Sequence, residues 1–348
     1  MLSLIICSKH PELSPELYKN IQETIGTPFE IVHIDNSQNQ YNIFQAYNLG
    51  VKRAKGSCLC FMHEDLVFHT HDWGKAVEHH LSNPVVGILG VAGGNIVFNN
   101  VDWRFCYGFD STYIIQGNYS LEPEPRYYRP VIPKLADPHT PLWQVAVVDG
   151  LWLCMRKELF PKIRFDEDSF HDFHLYDSDI CMQVNTIGLG VFVTHDILIE
   201  HQSEGTFANS YRDSLAVFLE KWQAHLPLVR GAFVSSEKIE EETRLGLERF
   251  EKRMSADLVT ADLRQVFSSQ KKGQPGRNLN KEELAIVDKS SFTCRRRCLK
   301  DPYISTRQAW MLVKEYLSLP YARHKIKLIF KFVWYRFLFK PIQQSATI

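Results

Sequence analysis

The sequence predicts an α/β protein whose N-terminal half folds around a mostly parallel sheet flanked by helices. Three short apolar runs are typical of strands, and a stretch with helical periodicity separates each run from the next. The strands are predicted at 2–7, 29–34 and 57–62, and the helices at 14–25 and 43–54. Strands that alternate with helices in this way pair in parallel through right-handed crossovers, an arrangement typical of the first half of a nucleotide-binding domain.

The two predicted helices each have one apolar face. The first begins at Ser14-Pro15, a pair that suits a helix N-terminus. Apolar residues recur three or four positions apart in both helices: Leu17, Ile21 and Ile25 in the first, and Phe44, Tyr47 and Val51 in the second. We therefore expect both helices to pack on the sheet.

The remaining elements of the core domain are less regular. Residues 95–139 are rich in turn-forming and aromatic residues, and a long insert of this kind is more often functional than idle. A helix is predicted at 177–187. Further strands are predicted at 85–91, 144–148, 151–155, 190–194 and 197–201.

Four segments follow from these patterns and from the charge distribution. We expect a core domain at 1–210, a charged helical extension at 211–269, a linker at 270–280 and a basic helical tail at 281–348. The formal net charge is zero, but residues 294–348 carry 12 Lys/Arg and 2 Asp/Glu, which leaves 28 basic and 38 acidic residues before them. The tail and the body are therefore expected to have different partners.

The composition limits the class of protein. The 348 residues are 45% hydrophobic and 23% charged, which excludes disordered, collagen-like and disulfide-scaffold classes. Neither a secretory signal nor an apolar run long enough to span a membrane is predicted. The eight cysteines are scattered, so we expect a cytoplasmic chain with free thiols.

Polar residues follow the three predicted strands. Ser8 ends the first strand, Asp35 ends the second, and His63-Glu64-Asp65 follows the third. Ligands of open α/β sheets bind at the carboxyl ends of the strands, where a carboxylate pair can hold a divalent metal. The alternative is that the pair only caps a strand and starts a turn. Because the sequence has neither a G-x-G-x-x-G motif nor a P-loop, the metal would have to neutralise the phosphates of a nucleotide.

The runs IVHIDNS, QAYNLGVKRAKG and FMHEDLVF resemble the nucleotide-binding half of the inverting nucleotide-sugar glycosyltransferases of family 2, which have the GT-A fold. The resemblance implies that Asp35 contacts the base, that Asn48 stands at the family's Asn before Gly, and that Glu64 lies near the ribose. It implies that Asp65 binds Mn²⁺ or Mg²⁺. His63 stands where a first carboxylate is usual, and with Ser8 it completes the implied nucleotide-sugar site.

The run VDGLWLCMRKELF is similar to the acceptor-side segment of that family. The resemblance implies that Asp149, Gly150 and Trp152 bind the acceptor. We also consider Trp103, the tyrosines at 127–128, and Trp152, which is near Asp149 in sequence, as surfaces for stacking on a sugar of the acceptor.

The run LYDSDIC resembles the stretch that opens the catalytic helix of the family, with Tyr176 in place of its usual Glu. The resemblance implies that Asp177 is the catalytic base, with Asp179 as the second candidate. A carboxylate at a helix N-terminus is held ionised by the helix dipole and can deprotonate a hydroxyl. Helix capping alone would explain Asp177 equally well.

His201 ends a predicted strand and matches the place from which a His completes the metal site in metal-dependent GT-A enzymes. The resemblance therefore implies a metal held by Asp65 and His201. The alternative is a structural histidine with no ligand, which is the more common case for a single His.

The C-terminal run ARHKIKLIFKFVWYRFLFKPI predicts a basic amphipathic helix. Its apolar face would carry Ile326, Phe330, Val333 and Phe337, with basic residues on both sides. Aromatic and basic residues around an apolar stripe are typical of helices that lie on anionic membranes. The alternative is packing on the acidic body. No motif supports nucleic-acid binding.

We expect a metal-dependent inverting glycosyltransferase that moves a sugar from a nucleotide-diphosphate sugar to a hydroxyl of a glycan or lipid-linked acceptor. The expected setting is polysaccharide or glycolipid assembly at the inner face of the plasma membrane. Two alternatives remain: a metal-dependent phosphoesterase, and a membrane-associated scaffold that retains a degenerate transferase fold.

Overall fold

The structure is a computed structural model of the chain. It describes residues 1–118, 127–131, 141–202, 209–231, 233–271, 306–318 and 323–333. The chain forms two compact units. The first comprises Met1–Ile115, Pro130–Gln202 and Thr206–Ser255, and the second comprises Gln116–Arg129, Ser203–Gly205 and Ala256–Ile348.

The strands are short and are numbered in chain order. They are β1 (Leu2–Ser8), β2 (Phe29–Asp35), β3 (Cys58–Met62), β4 (Leu66–Phe68), β5 (Val86–Gly90), β6 (Ala92–Gly94), β7 (Ile96–Val97), β8 (Asp110–Thr112), β9 (Ile114–Asn118), β10 (Tyr127–Val131), β11 (Leu142–Val145), β12 (Val147–Val148), β13 (Trp152–Arg156), β14 (Gly190–Thr194), β15 (Ile199–His201) and β16 (Leu228–Val229).

Eight α-helices are described. They are α1 (Pro15–Thr24), α2 (Ile43–Arg53), α3 (Trp73–Ser82), α4 (Tyr176–Thr186), α5 (Asn209–Trp222), α6 (Ser236–Lys271), α7 (Thr306–Ser318) and α8 (Lys325–Val333). Single 3₁₀ turns occur at Trp103–Phe105, Lys157–Leu159 and Gln223–His225.

A seven-stranded sheet with the order β11-β14-β5-β13-β3-β1-β2 forms the centre of the first unit. β1 pairs in parallel with both β2 and β3, and β14 pairs in parallel with β5. β13 and β11 run antiparallel to their neighbours, so five of the seven strands share one direction. This mostly parallel sheet flanked by helices confirms the predicted fold class.

Side chains of the interior strand β1 point alternately to two cores, which is why its sequence is mostly apolar. Ile5 belongs to the core under α2, while Leu4 and Ile6 belong to the core on the opposite face. α1 begins where predicted, because the Ser14 side chain accepts the backbone N–H of Leu17 at 3.0 Å.

The later elements differ from their predicted bounds. The predicted strand 144–148 is two strands, β11 and β12, interrupted at Ala146, whose N–H donates to the carbonyl of Gly94. Of the turn-rich insert, residues 119–126 and 132–139 lie outside the described residues. Within its described part, β8 pairs antiparallel with β6. Most of the predicted linker at 270–280 also lies outside the described residues, and α6 extends to Lys271.

The cysteines correct one expectation. Cys60 of β3 and Cys154 of β13, which face each other in the antiparallel pair, are joined by a disulfide. The expectation of free thiols is therefore wrong for this pair. Cys7, Cys58, Cys106 and Cys181 are free.

The described part of the second unit contains a pair of packed helices. α7 contacts α8 through five buried residues: Ala309, Val313, Tyr316, Leu328 and Phe332. On α8, Ile326 is 85% exposed. Phe330 and Val333 of the predicted apolar face are also exposed, and Phe337 lies outside the described residues. None of the helices in the described ranges is long and apolar enough to span a bilayer.

Candidate active site

Three side chains with metal-binding atoms meet at one edge of the sheet. His63 and Asp65 follow β3, and His201 ends β15. β15 pairs antiparallel with β4, and His201 is the partner of Leu66 in that register, which brings it beside Asp65. His63 Nδ1 lies 3.3 Å from His201 Nε2, which lies 3.7 Å from Asp65 Oδ1. His63 Nδ1 and Asp65 Oδ1 are 4.0 Å apart.

This cluster fits a divalent metal. One ligand atom from each of the three residues lies within 4.8 Å of the other two. Such separations match ligands placed about 2 Å from a shared ion. Burial, followed by the nearby His63, lowers the pKa of His201, which favours the neutral imidazole that binds metals.

The third member of the cluster was not predicted as a ligand. The sequence indicated Asp65 and His201 as ligands, and the structure brings these two together. His63 stands where the family has a first carboxylate, and the structure places its Nδ1 among the ligand atoms. An imidazole that could bind a metal therefore stands where the family usually has a first carboxylate. His63 and Asp65 are two residues apart, and this spacing is the sequence signal that could have indicated His63 as a second ligand beside Asp65.

Arg104 joins three carboxylates close to this cluster. Its guanidinium donates to Asp177 Oδ2 at 2.5 Å, to Asp149 Oδ2 at 3.0 Å and to Asp102 Oδ2 at 3.1 Å. Arg104 lies in the 3₁₀ turn at Trp103–Phe105 within the turn-rich insert, and no sequence signal indicated it. One guanidinium opposes three carboxylates, so the site carries an excess of negative charge that favours a bound cation.

Asp177 lies at the start of α4 and is only 3% exposed. Its Oδ2 accepts the backbone N–H of Gly150 at 2.8 Å, and its Oδ1 accepts the N–H of Ser178 at 2.7 Å. Burial raises the pKa of Asp177, and the opposing charge of Arg104 does not fully cancel this effect. A carboxylate with a raised pKa is a stronger base than one in water.

Asp149 has the opposite environment. Burial alone would raise its pKa, but Arg104 and the N–H of Leu151 lower it below the usual range, and His201 and His63 act in the same direction. Asp149 therefore interacts electrostatically with two members of the cluster of His63, Asp65 and His201. Its side chain is 26% exposed, far more than that of Asp177.

Asp179 faces away from these groups. Its oxygens accept from Trp222 Nε1 at 2.8 Å and Gln183 Nε2 at 2.7 Å, and Lys221 Nζ lies 2.7 Å away. The carboxylate is fully buried. These contacts hold α4 against α5 and occupy both oxygens of the carboxylate. The role of Asp179 as second base stays a prediction.

The predicted nucleotide-binding residues fall into two groups. Ser8 hydrogen-bonds to Glu64, so the ends of β1 and β3 are connected, and the Asp35 side chain at the end of β2 is exposed. Asn48 instead bonds to the backbone of Phe165 in both directions, at 2.8 and 3.2 Å. Its amide is therefore occupied by the fold and does not face the strand ends.

Two predicted acceptor contacts need correction. Trp152 is 0% exposed and packs edge-on against Trp73 in the core, because alternate residues of β13 face the helical layer. It is therefore not a stacking surface for an acceptor. Trp103 is also buried, beneath the guanidinium of Arg104. Gly150 lies next to Asp149, and a Cβ added there would overlap the ring of Tyr176. The tyrosine side chains at 127–128 lie outside the described residues.

Comparisons with known proteins place this chain in a family. The model of the "Glycosyltransferase like family" matches residues 3–222. No curated protein matches the chain. GalNAc-T7, solved with UDP, GalNAc and Mn²⁺, is 14% identical with a TM-score of 0.40, over 71% of this chain and 56% of its own. A197 from STIV is 11% identical with a TM-score of 0.32, over 59% of this chain and 87% of its own.

Proposed function

The chain belongs to the Glycosyltransferase like family, and from that premise we propose that it transfers a sugar from a nucleotide-diphosphate sugar to a hydroxyl acceptor. The transfer would depend on a divalent metal and invert the anomeric configuration. The observation that carries this proposal is the cluster of His63, Asp65 and His201 at the strand ends, beside the carboxylates bound to Arg104.

The donor would bind across the carboxyl ends of β1, β2 and β3. The base would lie near Ser8 and Asp35 and the ribose near Glu64, which is held in place by its hydrogen bond to Ser8. A divalent ion held by His63, Asp65 and His201 would stabilise the negative charge that develops on the diphosphate leaving group. Two imidazole ligands favour a transition ion such as Mn²⁺ over Mg²⁺, which prefers oxygen ligands.

The acceptor would meet two carboxylates with different properties. Asp149 has a lowered pKa and greater exposure, so it stays ionised and can orient the acceptor hydroxyl. Asp177 has a raised pKa and would take the proton as the hydroxyl attacks the anomeric carbon. Carboxylates whose environments push their pKa values apart commonly divide their roles in this way. A single displacement of this kind inverts the anomeric carbon.

Specific observations weaken the two alternatives. A two-metal phosphoesterase needs more bridging carboxylates, whereas the described residues hold a single cluster with one carboxylate. The scaffold hypothesis rests on the missing first carboxylate and on Tyr176 in place of the usual Glu, and His63 offers a potential ligand in place of that carboxylate. The setting in polysaccharide or glycolipid assembly, the cytoplasmic location and lipid contact through α8 stay predictions. Co-sedimentation with anionic liposomes would test the lipid contact.

Binding of nucleotide sugars to the full chain tests the proposal. We expect one class among UDP, GDP, dTDP and CDP sugars to raise the melting temperature when Mn²⁺ is present. A ligand at 100 times its dissociation constant adds about 2.7 kcal/mol to the free energy of unfolding. The measurement is a thermal-shift screen of each donor with Mn²⁺, with Mg²⁺ and with chelator.

Asp65→Ala is expected to abolish the metal-dependent shift, because it removes the one carboxylate ligand. Asp177→Ala is the matched control and should keep the shift, since this residue is assigned to the acceptor side. If none of the nucleotide sugars raises the melting temperature, the proposal is contradicted and the scaffold alternative is favoured.

A further inference from the structure

The hydroxyl of Tyr176 lies between the metal-binding cluster and the backbone of the acceptor-side segment. Tyr176 Oη donates to the carbonyl of Gly150 at 3.0 Å and lies 3.1 Å from His63 Nε2. Both Tyr176 and Gly150 are buried. Tyr176 occupies the first position of α4, directly before Asp177.

These two contacts determine which ring nitrogen of His63 carries the proton. A tyrosine hydroxyl has one hydrogen, and a carbonyl oxygen can only accept. Because the Tyr176 hydroxyl donates its hydrogen to the Gly150 carbonyl, it cannot also donate to His63. In the contact with His63, the Nε2–H group must therefore be the donor and Tyr176 Oη the acceptor. The reverse assignment would leave the buried Gly150 carbonyl without this donor, which costs about 1–3 kcal/mol.

We propose that Tyr176 is a positioning residue that holds His63 as the Nε2–H tautomer and directs the Nδ1 lone pair toward a divalent cation. Nδ1 is the nitrogen that lies 3.3 Å from His201 Nε2 and 4.0 Å from Asp65 Oδ1. The second nitrogen of a metal-bound histidine is usually fixed by a hydrogen bond of this kind. The inference rests on the proposed function insofar as that function requires the metal.

The ring of Tyr176 is held independently of its hydroxyl. It makes edge contacts with Phe44 and Tyr47, at centroid distances of 6.4 and 5.4 Å, and a tilted contact with Phe165. The absence of a side chain at Gly150 makes room for it. Tyr176→Phe therefore removes the hydroxyl and keeps these ring contacts, and it also removes a hydrogen bond with the Tyr47 side chain.

We expect Tyr176→Phe to bind Mn²⁺ about 10- to 100-fold more weakly than the wild type, the range found when the partner of a metal ligand is removed. Mn²⁺ affinity is measured on the full chain by electron paramagnetic resonance, without nucleotide or acceptor. Tyr113→Phe is the matched control, because it removes the same atom from a ring that contacts His195 instead of the cluster. It should bind Mn²⁺ like the wild type.

Nitrogen-15 spectra of the histidine rings supply a readout that packing alone does not change. In the metal-free wild type we expect His63 to be protonated at Nε2, and in Tyr176→Phe to be a mixture of tautomers. His63 protonated at Nδ1 in the wild type, or unchanged Mn²⁺ affinity in Tyr176→Phe, would overturn the proposal. Failure of the wild type to bind Mn²⁺ would overturn it together with metal dependence. Normal Mn²⁺ binding without nucleotide-sugar binding would contradict only the proposed function.

Discussion

Asp177→Asn is expected to reduce the turnover of sugar transfer by about 10²- to 10⁴-fold, the usual contribution of a general base. The amide has the shape of the carboxylate but cannot take a proton from the acceptor. Its oxygen can still accept the N–H of Gly150, and Arg104 keeps Asp102 and Asp149 as partners, so we expect the fold to tolerate the change. Steady-state kinetics should show a lower kcat with little change in KM for the donor.

Asp179→Asn is the matched control for this prediction. It changes a carboxylate two residues away that contacts Trp222 and Lys221, so we expect lower stability and a nearly normal kcat per folded molecule. If Asp177→Asn keeps the wild-type kcat while Asp149→Asn loses it, the base has been assigned to the wrong member of the pair.

Arg104→Met is expected to lower the free energy of unfolding by about 3–5 kcal/mol, the cost of removing one partner from a buried ion pair. The substitution leaves Asp102, Asp149 and Asp177 without the guanidinium that neutralises them, and two of the three are almost fully buried. Denaturant unfolding monitored by circular dichroism measures the effect.

Arg212→Met is the control for Arg104→Met. Arg212 makes two hydrogen bonds to Glu251, but both side chains are about half exposed. Exposed pairs contribute about 0–1 kcal/mol. Equal losses from the two substitutions would contradict the idea that Arg104 holds the carboxylates of the site together.

The sheet and part of the site could be predicted from the sequence because both depend on patterns within short, consecutive segments of the chain. β1, α1, β2, α2 and β3 follow one another along the chain, and each has a periodicity that its own residues determine. The position of the Glu64-Asp65 pair just after a strand indicated a possible metal site, and the family resemblance then implied Asp65 as the ligand. His201 required the family resemblance, since β4 and β15, which bring it to Asp65, are only three residues long.

The parts that could not be predicted depend on contacts between distant segments. Arg104 meets Asp149 and Asp177 across 45 and 73 residues, from a turn with no regular pattern. The hydrogen bond between His63 and Tyr176 spans 113 residues. Trp152 was placed at the acceptor because it lies near Asp149 in sequence, but the alternation of β13 turns its ring into the core. Proximity along a strand does not determine which face a side chain occupies.

Product analysis of a reaction with the matching nucleotide sugar, Mn²⁺ and a panel of hydroxyl acceptors tests the central claim most directly. We predict a nucleoside diphosphate and a glycosylated acceptor with inverted anomeric configuration by proton nuclear magnetic resonance, and loss of both products with chelator or in Asp65→Ala. Release of a nucleoside monophosphate and a sugar phosphate would contradict the claim and indicate a phosphoesterase. Retention of the donor's configuration would exclude the single displacement by an acceptor that Asp177 activates.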